Sequence, residues 1–199
     1  TIRKCALSKG REKCAAEEIG FDSKVTYDGL DALSCEASAK LAGFSFSDTR
    51  KSAVAAEAEL TLLAKRGLKG GAFSFEAGLR SPETSFHWGG VFADATAGES
   101  AARLVVSGDN NAGRQTAEGN FFLDMSGLSE GTSGVSLSGL HCEMPVKFPP
   151  PAVSAPGRLE ASVSRGKSRL GELRLYPKQK NWGALFDGEL GGGRIPKMT

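Results

Sequence analysis

Long apolar runs are missing from this chain. No stretch is long enough to cross a bilayer as a helix, and no signal peptide opens it. Histidine is scarce, with only His87 and His141, and no Cys-x-x-C occurs among Cys5, Cys14, Cys35 and Cys142. That argues against a zinc site, and no other metal or cofactor pattern takes its place. A dominant charge is missing too. The formal net charge of +2 excludes a strong general attraction to nucleic acid. No helix-rich block separates one strand-like stretch from the next, which argues against parallel βαβ packing. No strict period marks a propeller or a leucine-rich repeat.

What is there is alternation. Leu140, Cys142, Met144, Val146 and Phe148 fall at every second position, with His141, Glu143, Pro145 and Lys147 between them. Period two is the mark of a strand with one buried face. After Pro149-Pro150-Pro151, a second alternating stretch runs from Gly157-Arg158-Leu159 through Ala161 and Val163, and a third starts at Leu170. The 26 glycines are well above average usage, and many fall near the ends of these stretches, where turns need them. Strands in series with Gly and Pro between them read as an antiparallel sheet.

The first half repeats the pattern less clearly. Residues 1–24 are charged and poorly defined: Ile2 to Leu7 suits a strand, and Arg11 to Glu18 suits either a short helix or the return strand. From Lys24 the signal clears. Val25 and Tyr27 alternate, Asp28-Gly29 supplies a turn, and Leu33, Cys35, Ala37, Ala39 and Leu41 share a face. Ser52 to Lys65 has a composition that suits a helix, but Val54, Ala56, Ala58, Leu60 and Leu62 are spaced for a strand. Phe73, Phe75, Ala77 and Leu79 follow, then Phe86, Trp88 and Phe92, then Leu104 and Val106, then Phe121, Leu123 and Met125. The expectation is about ten to twelve strands in one all-β segment, 1–199, with little helix. Its halves are 25–130 and 131–199. The sheet is expected to be a long curved antiparallel meander forming an open trough or roll, with a β-sandwich as the alternative.

Catalytic patterns are weak. Gly127-Leu128-Ser129-Glu130-Gly131 matches a hydrolase nucleophile pattern, but that needs a strand-to-helix elbow, and a strand follows. His87 and His141 occupy polar-face positions. Glu57 and Glu59 share a wet face, so no acid–base pair is expected. Cys5 and Cys14 flank a turn at Lys9-Gly10-Arg11 and could oppose one another in a hairpin. An oxidising compartment would join them; the alternative is four small residues with free thiols. From Lys147 onward there are ten Lys or Arg against four Asp or Glu, which suits anionic headgroups or protection of strand edges.

Over residues 137–199 the order of motifs resembles a known family. Met144-Pro145-Val146-Lys147-Phe148, the proline run, Gly157-Arg158-Leu159, Leu170-Gly171-Glu172-Leu173, Leu185-Phe186-Asp187-Gly188-Glu189-Leu190 and Gly191-Gly192-Gly193-Arg194-Ile195 are similar to the C-terminal region of the YdbH-like proteins, in the AsmA-like group of bacterial envelope proteins. The first 130 residues share only their alanine- and glycine-rich alternating texture. The resemblance implies a trough with an apolar inner face that conducts phospholipid between membranes. It implies a periplasmic setting, a membrane-anchored parent protein, envelope partners and no catalytic residues. The chain starts at Thr1 and stops in a strand-like stretch, which reads as a piece of such a parent.

Acyl chains need an apolar lining, and alternating strands make one. The candidates are Phe73, Phe75, Phe86, Trp88, Phe121, Leu123, Leu140, Met144, Val146, Phe148, Leu173, Leu175, Leu185 and Phe186. The same side chains would fill the core of a closed, self-contained structural or adhesive domain, so an open apolar surface is what separates the two readings.

Overall fold

A computed structural model describes residues 1–29, 31–82, 84–89, 91–94, 99–111, 114–131 and 133–198. Among these there is no helix. The strands are β1 (Ile2–Lys9), β2 (Glu12–Tyr27), β3 (Ala32–Ser47), β4 (Lys51–Gly67), β5 (Ala72–Pro82), β6 (Thr84–Trp88), β7 (Val91–Asp94), β8 (Glu99–Asn111), β9 (Arg114–Glu130), β10 (Val135–Phe148), β11 (Arg158–Arg165), β12 (Ser168–Leu175), β13 (Lys178–Lys180), β14 (Gly183–Leu190) and β15 (Gly193–Met198). The strand expectation for Ser52 to Lys65 holds. Of Arg11 to Glu18, Arg11 lies in the turn and Glu12 onward in the long strand β2, so the helix alternative there falls.

All pairing is antiparallel, and the order follows the chain: β1-β2-β3-β4-β5-β8-β9-β10-β11-β12-β14-β13. β6 takes residues 51–55 of β4 where β5 takes 59–66. In the same way, β7 pairs with 128–130 of β9 while β8 pairs with its first part. β5 with β6, and β7 with β8, thus each act as one rung. The result is an up-and-down meander in a single open sheet, not two packed sheets and not a barrel. β2, β3, β4 and β9 have 16 or 17 residues, a reach of about 55 Å at 3.3 Å per residue.

Directly opposite residues share a face, so the register lets each face be followed across the sheet. One row runs through Phe21, Ala39, Leu60, Leu79, Ala102, Leu123, Cys142, Leu159, Leu175 and Gly188. It crosses ten strands, about 43 Å at 4.8 Å per strand. Three shorter rows lie beside it, each from β2 to β10. They are Ser23-Ala37-Leu62-Ala77-Leu104-Phe121-Met144, Val25-Cys35-Ala64-Phe75-Val106-Gly119-Val146 and Tyr27-Leu33-Arg66-Phe73-Gly108-Ala117-Phe148.

The apolar face survives a change of phase within the strands. β11 is regular from Leu159 to Val163, so both stand on one face. Their β10 partners, Cys142 and Leu137, are five residues apart, and the register shifts between Ser138 and His141. Gly139 lies there at φ +58°. From Leu137 the register continues through Leu128, β7, Phe86, Ala53, Phe46 and Cys14 to Leu7. Gly43 at φ +59° and Lys4 at φ +53° lie at the matching change on β3 and β1.

Little of this surface is closed off. Among the described residues the buried apolar side chains are Ala16, Ala55, Leu140, Cys142, Ala161, Val163 and Pro177, and most of these lie on β10 and β11. The exposed surface is 12904 Å², against about 8,900 Å² for a compact protein of 20.8 kDa.

Candidate functional site

The apolar face is the candidate site. Phe73, Phe75, Phe121, Leu123, Met144, Val146 and Phe148 stand in its rows, and Leu140 is buried beside them. Phe86 extends the face on the far side of the phase change. Leu173 and Leu175 carry it onto β12, opposite Leu190 and Gly188. Phe186 has the same parity as Gly188. Leu185 is its chain neighbour and so points to the other face, where Lys178 is its partner. The expectation that both line one surface is corrected on that ground. The side chain of Trp88 lies outside the described residues.

Exposure along the face is graded. Phe21 and Val25 are each 66% exposed, Leu60 is 49% and Leu79 is 47%, whereas Cys142 is 8% and Val163 is 5%. The face is open over β2 to β5 and closes toward β11. A hollow of about 420 Å³ is lined by Leu33, Cys35, Ala64, Phe73, Phe75 and Val106, together with Lys65, Arg66 and Ser74. A second, of about 230 Å³, lies between Phe73, Ala117 and Phe148, bordered by Arg66, Asn110 and Gln115. Phe148 is backed by Trp182, with ring centroids 6.2 Å apart.

The reverse face is charged. The row next to Phe21 and Leu60 reads Gly20, Lys40, Glu59, Arg80, Ala101, Asp124, His141, Glu160, Arg174, Glu189, Arg194. Its signs largely alternate. Lys40 meets Glu59 at 3.4 Å, His141 Nδ1 meets Asp124 Oδ1 at 2.5 Å, and Arg174 meets Glu189 at 3.3 Å and Glu160 at 3.7 Å. The Arg158 guanidinium donates to Glu160 and holds its carboxyl below the usual range. Arg169, with the Ser162 hydroxyl, does the same for Glu172. The four carboxylates of the last third are thus all paired with its arginines, and Lys147 reaches Glu118 at 3.6 Å. These pairs are exposed and each contributes little to stability, but they keep this face in water.

Two further expectations meet the geometry here. Cys5 is in register with Ala16, and Cys14 with Leu7. The two thiols are offset by two residues and both are free. The possible opposition of the two in the hairpin is therefore not the register found, in which they form a diagonal pair too far apart for a disulfide. Cys142 is buried, and burial, aided by the Asp124 charge, pushes its thiol pKa up. Ser129 lies inside β9, and after the turn the chain continues as β10, so the nucleophile-like pattern forms no elbow.

Arg66 is the site residue that sequence reading missed. Its signal was present: Leu60, Leu62 and Ala64 alternate directly into it. Comparison with protein-family models, with curated proteins and with solved structures found no match.

Proposed function

We propose that this chain is a non-enzymatic segment of a bacterial envelope protein whose open apolar face shields the acyl chains of phospholipid passing between membranes. The observation that carries this reading is the set of four registered rows, which form an apolar surface that is open over β2 to β5. An exposed apolar area of this extent is abnormal for a self-contained domain. Covering it with acyl chains gains about 0.8 kcal/mol per buried CH₂, on the order of 10 kcal/mol for a chain of a dozen methylenes. The rows run across the strands, so a chain lying along them meets the same chemistry from β2 to β10. The mechanism is passive: lipid tails move along the face while headgroups stay in water at its border. The likeness of residues 137–199 to the YdbH-like group supports the periplasmic setting, the membrane-anchored parent and the envelope partners.

Native mass spectrometry of the chain purified from a bacterial host, followed by lipid extraction, tests the reading. Co-purifying phospholipid is expected, and it should be lost in Phe75→Glu and Phe121→Glu variants that keep their strand content. A ligand-free mass, with no uptake of added fluorescent phospholipid, would overturn the reading in favour of a structural domain.

A further inference from the structure

Within the four rows from β2 to β10 the apolar face carries one cation. Of the twenty-eight residues in the four rows from β2 to β10, Arg66 is the only charged one. It stands in register between Leu33 and Phe73. Its side chain is exposed, and among the described residues it has no ion-pair partner. On the reverse face several cations are held by carboxylates, as in Arg103 with Glu76 at 2.8 Å and Lys40 with Glu59 at 3.4 Å. Among the described residues no carboxylate pairs with Arg66, so its guanidinium is available to an anion from outside the chain.

Its position tells what kind of anion fits. Arg66 borders both hollows, and Phe73 is a wall of each. Toward the interior of the sheet the walls are Phe75 and Val106. Toward the strand ends lie the exposed amides Asn110 and Gln115, directly opposite one another. A guanidinium and two amides therefore sit beside a largely apolar, partly aromatic surface. We propose that Arg66 is a headgroup anchor, pairing with the phosphodiester of a phospholipid whose acyl chains lie along the rows. This rests on the lipid reading above and adds the class of headgroup. The guanidinium fork matches the two non-bridging phosphate oxygens at once, and the amides of Asn110 and Gln115 have N–H donors for the remaining lone pairs on those oxygens. Free phosphate offers the same oxygens, but nothing in it would use the apolar walls, so the anchor is assigned to the lipid.

Competition against a fluorescent phospholipid tests this. The competitors are phosphatidylglycerol, diacylglycerol with the same acyl chains, and inorganic phosphate, each against the wild type, Arg66→Gln and Arg66→Lys. The wild type is expected to prefer phosphatidylglycerol over diacylglycerol. Arg66→Gln should weaken phosphatidylglycerol about tenfold or more and leave diacylglycerol unchanged, which also shows that the variant is folded. Arg66→Lys should retain part of the preference. Inorganic phosphate at millimolar concentration should not displace the probe. A preference that survives in Arg66→Gln overturns the anchor and leaves the lipid surface standing. Displacement by inorganic phosphate overturns the lipid assignment of the anchor. A wild type that binds neither lipid overturns the lipid reading itself, a failure visible without any variant.

Discussion

Leu137 and Cys142, five residues apart on β10, stand on the same face of the sheet. Regular alternation would put them on opposite faces. The odd spacing is absorbed at Gly139, whose φ of +58° belongs to a region that glycine enters without penalty. Without that change of phase, the apolar pattern of β10 would be split between a wet face and a dry one.

A backbone prediction follows with two signs. A Cβ at Gly139 would meet nothing within 4 Å, so Gly139→Val is penalised through the backbone alone. The expected loss is about 1–2 kcal/mol, read as a lower urea midpoint. Lys4 holds a similar conformation with a side chain. Lys4→Gly should raise stability by roughly 0.5–1 kcal/mol, the relief of that strain less the added chain entropy. Equal effects of the two substitutions would contradict the assignment.

Acid sensitivity should come from the charged face. The carboxyls of Glu160 and Glu172 lie below their usual value of 4.5 because arginines donate to them. A carboxyl lowered in the folded state contributes its full stability above about pH 4.5 and loses it as pH falls through the lowered value. The melting temperature should be flat from neutral pH to about pH 5 and fall below that. Glu172→Gln should melt lower at neutral pH and lose less on acidification. Circular dichroism between pH 7 and pH 3 checks both.

Thiol chemistry should separate one cysteine from three. Cys5, Cys14 and Cys35 are partly exposed and Cys142 is buried with its thiol pushed up. The thiolate is the reactive form. A maleimide at pH 8 without reductant should label three sites quickly and one slowly, and the slow phase should vanish in Cys142→Ser. Only two labelled sites would indicate a disulfide and contradict the register of β1 and β2.

The open face should also bind a hydrophobic dye in the native state. Leu123→Asp places a charge in the middle of the longest row. It should reduce dye fluorescence several-fold while far-ultraviolet circular dichroism stays that of a sheet. Charge at Asp124→Lys, one residue away on the reverse face, should leave dye binding unchanged. Equal loss in both would mean that the dye does not report this face.

Much of the fold was legible because alternation is local. Leu140 to Phe148 and Phe73 to Leu79 carry large residues at every second position, and their strands were evident. Arg11 to Glu18 was ambiguous because its inward residues, Cys14 and Ala16, are too small to mark a period. The phase changes at Lys4, Gly43 and Gly139 were not legible, since a lone glycine in a strand does not reveal which way the chain turns. The site was legible as a set of lining residues but not as a surface. Leu185 and Phe186 were grouped although neighbours must part. The isolation of Arg66 depends on residues up to eighty positions away, and only the register brings them together.

The central claim is that acyl chains lie on one face of this sheet and not on the other. Site-specific photo-crosslinking in bacteria tests it most directly. A photoreactive residue is placed at Leu60, Leu79 or Leu123 on the apolar face, and at Thr61, Arg80 or Asp124 on the charged face. The account predicts lipid adducts at the first three positions and none at the second three. Adducts on both faces alike, or on neither, would contradict it.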